Sequence, residues 1–109
     1  IGMQLMAIHF GGSAGPAEVA EFGLSKLRII EKDDLFRGLP DEFLVWESHN
    51  DEVKQVPNFT VLAMSENCKI QAIKHSNKPL YGVQFHPEVN NTEHGSEILK
   101  NFVHVADSF

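Results

Sequence analysis

The chain has 109 residues, 42% of them hydrophobic and 22% charged, which fits one domain or a piece of one and is too apolar for a disordered chain. Asp and Glu number 15 against 9 Lys and Arg, for a formal net charge of −6, a balance that argues against a nucleic-acid groove or an anionic membrane surface as the main partner. A single cysteine excludes an internal disulfide framework and fits a reducing, cytoplasmic setting, and no apolar run approaches the roughly 20 residues of a membrane span.

The chain opens at Ile1 rather than Met and enters Gly2-Met3-Gln4 at once, as though from the middle of something. Leu5, Met6, Ile8 and Phe10, followed by Gly11-Gly12, predict a short helix with a glycine stop. Ser13 to Ala20 is small and carries Gly and Pro, and reads as a loop. Phe22 to Glu31 reads as one or two strands. Asp33-Asp34 opens a turn of helix through Phe36, closed by Gly38 and Pro40. Glu42 to Glu47 predicts a strand, broken by the turn-prone Ser48-His49-Asn50-Asp51.

Thr60 to Ser65 predicts a further strand, and Glu66-Asn67 a tight turn. Ile70 to Lys74 and Leu80 to Phe85 pair as a hairpin around Ser76 to Pro79, and Pro87 stops the last strand. From Thr92, a candidate N-cap, Ile98, Leu99, Phe102, Val103 and Ala106 recur at helical spacing to Phe109. Helix, strands, helix makes an incomplete α/β layer, because a parallel sheet needs a set of βαβ units. The expectation is an α/β fold whose first βα units lie upstream, so that residues 1–109 form the C-terminal part of one domain.

Gly82-Val83-Gln84-Phe85-His86-Pro87-Glu88-Val89 is the segment richest in chemistry. It places His86 at the carboxyl end of an apolar strand, where α/β sheets usually build their sites. Glu88 is close enough to hold one imidazole nitrogen and leave the other as a base. By spacing alone the pair is either two-thirds of a nucleophile–base–acid triad or a strand-end His beside a surface Glu. Cys68, in a hairpin turn without a helix N-terminus or elbow to activate it, reads as structural. The first helix does offer an elbow, so a nucleophile there falls immediately before Ile1. His9, His49, His75, His86, His94 and His104 show no tight ligand spacing, and no metal site is expected. His9, His75 and His104 read as surface or edge residues and His94 as a polar contact in the first turn of the last helix. Glu31 to Asp34 reads as a solvated face.

The Phe85-His86-Pro87-Glu88 segment and the Ile1-Gly2-Met3-Gln4 opening resemble the class I, triad-type glutamine amidotransferases. In that family the nucleophile elbow reads Cys-x-Gly-x-Gln, and Ile1 to Gln4 match the four positions after the cysteine. The resemblance implies a flavodoxin-like fold with a mostly parallel central sheet, flanking helices and a small antiparallel hairpin region. It implies His86 as base, Glu88 as its orienting acid, the Ile1 backbone N–H as an oxyanion donor, and a nucleophilic cysteine just upstream. Gln4 and the backbone around Ser48, Asn50 and Asp51 would hold glutamine, which leaves His49 as a supporting or interface residue.

Glu47 to Val53, Ser65 to Cys68 and Glu88 to Gly95 are similar to the glutaminase part of archaeal-type GMP synthase. That similarity implies an ATP-pyrophosphatase partner subunit, which aminates XMP to GMP and itself holds ATP and Mg²⁺. No cofactor is expected on this chain, which has no GxxxxGK[ST] phosphate loop. The alternatives are the glutaminase of anthranilate or aminodeoxychorismate synthase, the small subunit of carbamoyl phosphate synthetase, or a non-catalytic amidotransferase-like module. The Ser48 to Val53 segment argues against the first three.

Overall fold

The computed structural model describes residues 2–78 and 80–107, with side chains for 3–78 and 80–103. In chain order the elements are α1 (Gly2–His9), β1 (Ser13–Ile29), β2 (Glu42–Gln55), β3 (Phe59–Ser65), β4 (Cys68–His75), β5 (Tyr81–Val83) and α2 (Gly95–Asp107). The strands form one sheet in the order β2-β1-β3-β4-β5.

Every neighbouring pair in that sheet is antiparallel, so the expected mostly parallel arrangement is not found among the described residues. The connections explain it. Glu66-Asn67 links β3 to β4 and residues 76–80 link β4 to β5, spans too short for the helical crossover that parallel neighbours require. The α/β character holds, because helices cover the sheet. Adjacent residues divide between two apolar clusters, as the two-residue period of a strand demands. Val61 and Ile73 pack with Met3, Ala7 and Val53 under α1. Leu62 and Ala72 pack with Leu27, Phe36, Phe43, Val45, Phe85 and Ile98 of α2. Each fully buried Leu or Phe in such a cluster contributes about 1.5–3 kcal/mol.

Three sequence expectations are corrected. Ser13 to Ala20 is not a loop but the first half of β1, and it pairs with β2 from Ser13↔Gln55 to Pro16↔Asp51. The ladder resumes at Glu21↔His49, so residues 17–20 form a bulge that absorbs Pro16 and the small residues. Ser48 to Asp51 is likewise not a turn: β2 runs straight through it, because β1 supplies partners on either side. The third correction concerns Thr92, which does not cap α2. The helix begins at Gly95, and the carbonyl of His94 accepts the Ile98 amide at 3.0 Å. Gly95 is required here, since a Cβ would collide with the carbonyl oxygen of Pro87.

Two minor expectations also shift. His75 is buried, edge-on to Phe10 and Phe59, rather than a surface residue. Asp33 is not simply solvated. It has φ +47° and accepts the Tyr81 hydroxyl at 2.6 Å and the Lys74 ammonium at 3.1 Å. Burial alone would raise its carboxyl, but the bonds from Tyr81, the Asp34 amide and Lys74 together outweigh that and hold it below the ordinary value. The other side of the exchange is the Tyr81 hydroxyl, which burial and Asp33 push upward. The His104 side chain, expected at the surface, lies outside the described residues.

Candidate active site

The segment after β5 leaves the sheet and closes on the far edge, against β2. Gln84 still belongs to the β4 side, donating its amide to Gln71 O at 2.7 Å, whereas two residues later the His86 amide reaches Trp46 O at 3.0 Å. Thr92 then clamps the loop. Its hydroxyl donates to His86 O at 2.7 Å and accepts the Trp46 amide at 2.8 Å. Glu93 repeats the contact one step along, its amide meeting Leu44 O at 2.8 Å and its carboxylate the Leu44 amide at 2.7 Å. Pro87 has no amide hydrogen to offer a ladder, so the chain turns there and leaves the His86 side chain at the rim.

His86 Nδ1 lies 3.1 Å from Glu88 Oε2, and the two side chains are 39% and 63% exposed. An Nδ1–H donated to that carboxylate leaves Nε2 with its lone pair outward, the tautomer a general base needs. The sequence pairing of His86 with Glu88 is therefore realised in space. Both groups remain open to solvent, so a substrate can reach them.

Gln4, on α1, ties the same region together. Its side-chain amide donates to Asp51 O on β2 and to Gln84 Oε1, each at 3.3 Å. The Ser48, Asn50 and Asp51 side chains are exposed. In the β1–β2 register Asn50 has no Cα partner, because the bulge falls opposite it. Ile1, the expected oxyanion donor, lies outside the described residues.

Behind this strand is a buried polar group that sequence reasoning did not assemble. Glu21 and His49 are cross-strand partners, and His49 Nε2 lies 2.9 Å from Glu21 Oε1. Gln71 donates to the same oxygen at 3.0 Å, while Ser65 and Ser25 donate to Oε2 at 2.9 and 3.0 Å. His49 Nδ1 faces Asp51 O at 2.9 Å. Glu47 is fully buried beside them, with Oε1 3.5 Å from His49 Nε2 and neither oxygen given a hydrogen bond among the described residues. Burial first, and Glu21 second, raise its carboxyl from 4.5 to about 8. The signal was present in the sequence as a parity: Phe43, Val45, Glu47 and His49 share one face of a strand. Reading a turn at Ser48 to Asp51 hid it.

Cys68 is buried next to this group, and Glu21, His49 and Cys68 bring one ligand atom each within 4.8 Å of one another. The donor set is already committed, however. Both Glu21 oxygens are occupied by protein donors, and burial pushes the Cys68 thiol up to about 12, so it stays protonated. This supports the structural reading of Cys68.

The family model for glutamine amidotransferase class-I matches residues 1–106. The chain belongs to the class-I glutamine amidotransferases. Among similar curated proteins is the glutamine-hydrolyzing GMP synthase subunit of Pyrococcus abyssi, 57% identical over 94% of this chain and 55% of the relative. The protein of the same name from Methanocaldococcus jannaschii is 53% identical over 96% of this chain and 56% of its own length. The chain thus spans about half the length of the curated relatives it matches. A crystal structure from Thermoplasma acidophilum, described as that of a GMP synthase subunit, superposes with a TM-score of 0.93 at 42% identity, covering 96% of this chain and 53% of that one. A Thermotoga maritima glutamine amidotransferase shares the fold, with a TM-score of 0.73 at 23% identity over 96% of this chain and 43% of that one. Among the described residues, no helix is long and apolar enough to cross a membrane.

Proposed function

We propose that this chain is the catalytic-acid-and-base half of a glutaminase that serves GMP synthase, releasing ammonia for a synthetase partner that aminates XMP to GMP. The observation that carries the reading is the His86–Glu88 contact at 3.1 Å on a loop clamped to β2. The names of the archaeal relatives, glutamine-hydrolyzing GMP synthase subunits, support the choice of pathway. Chemically, a cysteine thiolate immediately ahead of Ile1 attacks the side-chain amide carbon of glutamine. His86 gives a proton to the departing ammonia, leaving a thioester and glutamate's carbon skeleton on sulfur. His86 then takes a proton from water, which attacks the thioester and frees glutamate and the thiolate. Glu88 holds Nδ1–H throughout and stabilises the imidazolium. The Ile1 amide serves as one oxyanion donor.

Gln4 commits both amide hydrogens to Asp51 O and Gln84, which leaves its carbonyl oxygen to accept from the substrate. The backbone around Ser48, Asn50 and Asp51 meets the substrate's α-amino and α-carboxyl groups. The chain needs no cofactor of its own in this scheme; ATP and Mg²⁺ belong to the ATP-pyrophosphatase partner, in the cytoplasm.

The test is glutamate release from glutamine by the full-length protein with its synthetase partner and XMP. His86→Ala is expected to lower kcat by about a thousandfold or more, as loss of a triad member does, without lowering the melting temperature. Turnover near wild type in that variant would sink the assignment. A partner that aminates an acceptor other than XMP would keep the glutaminase and overturn the pathway.

A further inference from the structure

The Glu21–His49 pair is costlier than a structural contact needs to be. Both side chains are 4% exposed, and a buried ionic pair is often no more stabilising than apolar residues of the same volume. Its hydrogen bonding is also oddly complete on one side. Glu21 collects four donors from three other strands and its own: Ser25 on β1, His49 on β2, Ser65 on β3 and Gln71 on β4. His49 faces an oxygen at each ring nitrogen, Glu21 Oε1 and Asp51 O, both at 2.9 Å. The Asp51 carbonyl can only accept, so Nδ1 carries the hydrogen of that contact. The Asp51 carbonyl at the end of this chain is the one that also accepts Gln4.

We propose that Glu21 and His49 are positioning residues for the glutamine pocket: the Glu21 carboxylate aims the His49 ring, the ring holds the Asp51 carbonyl, and that carbonyl sets Gln4. The proposal rests on the glutaminase reading and adds to it the device that fixes the substrate-holding stretch of β2. The need for such a device follows from the register. Residues 17–20 bulge away opposite Asn50, and Pro16, which is paired with Asp51, has no amide hydrogen to donate. Anchoring Asp51 from behind gives its carbonyl the donors that Pro16 does not supply. The other charged or titratable groups at the pair are Glu47 on β2, 3.5 Å from the ring, and the Cys68 thiol on β4. Neither donates a bond to Glu21 or accepts one from His49 among the described residues.

The experiment uses the full-length protein with its synthetase partner, and compares wild type with Glu21→Gln and His49→Gln. A loosened pocket is expected to raise KM for glutamine about tenfold with kcat changed less than about threefold. Synthesis supported by added ammonia, which bypasses the pocket, should be unchanged. Ring-nitrogen NMR of the wild-type protein should find the hydrogen on Nδ1 of His49. Ser65→Ala is the milder variant, chosen to keep the fold: it removes one of the four donors to Glu21 and should raise KM by a smaller factor. An unchanged KM in folded variants, or a His49 ring with no hydrogen on Nδ1, overturns the positioning role while leaving the glutaminase standing. A wild-type protein that releases no glutamate overturns the glutaminase reading, and the positioning role with it.

Discussion

Glu47 puts an acid where the fold gives it nothing to bind. Its carboxyl is fully buried and raised from 4.5 to about 8, chiefly by desolvation and then by Glu21. The native protein therefore keeps a proton that the unfolded chain gives up. Where the native state binds more protons, stability falls as pH rises. The contribution of Glu47 is most favourable below pH 4.5 and is lost as pH climbs to about 8. Glu47→Gln keeps the shape and removes the charge. It should raise stability at pH 8 by on the order of a few kcal/mol and flatten the pH dependence between pH 5 and about 8, as read by denaturant titration across that range. A variant with the same slope as wild type would show that Glu47 ionises freely.

At the same scale, His86 and Glu88 were legible because they are two residues apart on one short loop, so sequence distance and spatial distance coincide. Gln4 was legible through a motif. Glu21 was not, because its partner lies 28 positions away and the register that joins them passes through a bulge. No pattern in the sequence announces where a bulge resets a ladder.

Among the elements, the loop between β5 and α2 matters most. Phe85 anchors it in the core, and beyond that residue it is held by polar bonds to β2, of which Thr92 makes two. Thr92→Val preserves volume and deletes both. It is expected to cost about 1–3 kcal/mol, since the His86 carbonyl and Trp46 amide lose a partner. Glutamine turnover should fall with it, because the strand end that presents His86 loosens. Thermal unfolding and steady-state kinetics on the full-length protein check the two halves of this statement. Unaltered kinetics at reduced stability would mean that Thr92 serves the fold alone. The misplaced start of α2 has the same origin: Thr92 looks like an N-cap in sequence, but its hydroxyl is already committed to the site. Gly82 shows a second local constraint. A Cβ there would lie 3.0 Å from Met3 Cγ and 2.9 Å from Met6 Cε, so Gly82→Ala should push α1 off β5 and lower the melting temperature, by about 1–3 kcal/mol in stability terms.

For the molecule as a whole, the helix–sheet–helix layering was readable from hydrophobic spacing, and strand direction was not. Period-two patterning marks which face a residue takes, and it is silent on whether a neighbour runs up or down. The described chain is compact, with a radius of gyration of 12.8 Å, close to the about 13 Å of a folded domain of 100 residues. Yet Leu5, Ile8, Phe22, Leu24, Ile30 and Val103 each leave half or more of their surface exposed. Residues 1–109 made alone are therefore expected to bind hydrophobic dyes and self-associate. A monodisperse, dye-negative preparation would contradict this. Cys68 gives a complementary probe: buried and with its thiol pushed up to about 12, it should resist alkylation in the native full-length protein and react on unfolding. Rapid native labelling, read by peptide mapping, would place it at the surface instead.

The closure of residues 84–93 over β2 also has a consequence for biosynthesis. β2 is complete once Gln55 has been made, but the groups that cover its outer edge, at His86, Thr92 and Glu93, leave the ribosome later. During that interval the nascent chain carries a bare strand edge bearing Leu44 and Trp46, the kind of template that recruits other chains. Ribosomal pausing within residues 56–85 lengthens the exposure, whereas fast translation of that stretch shortens it. The motif that would perform the chemistry is thus also the piece that seals the sheet, and a chain truncated before it loses its protection from aggregation together with its histidine.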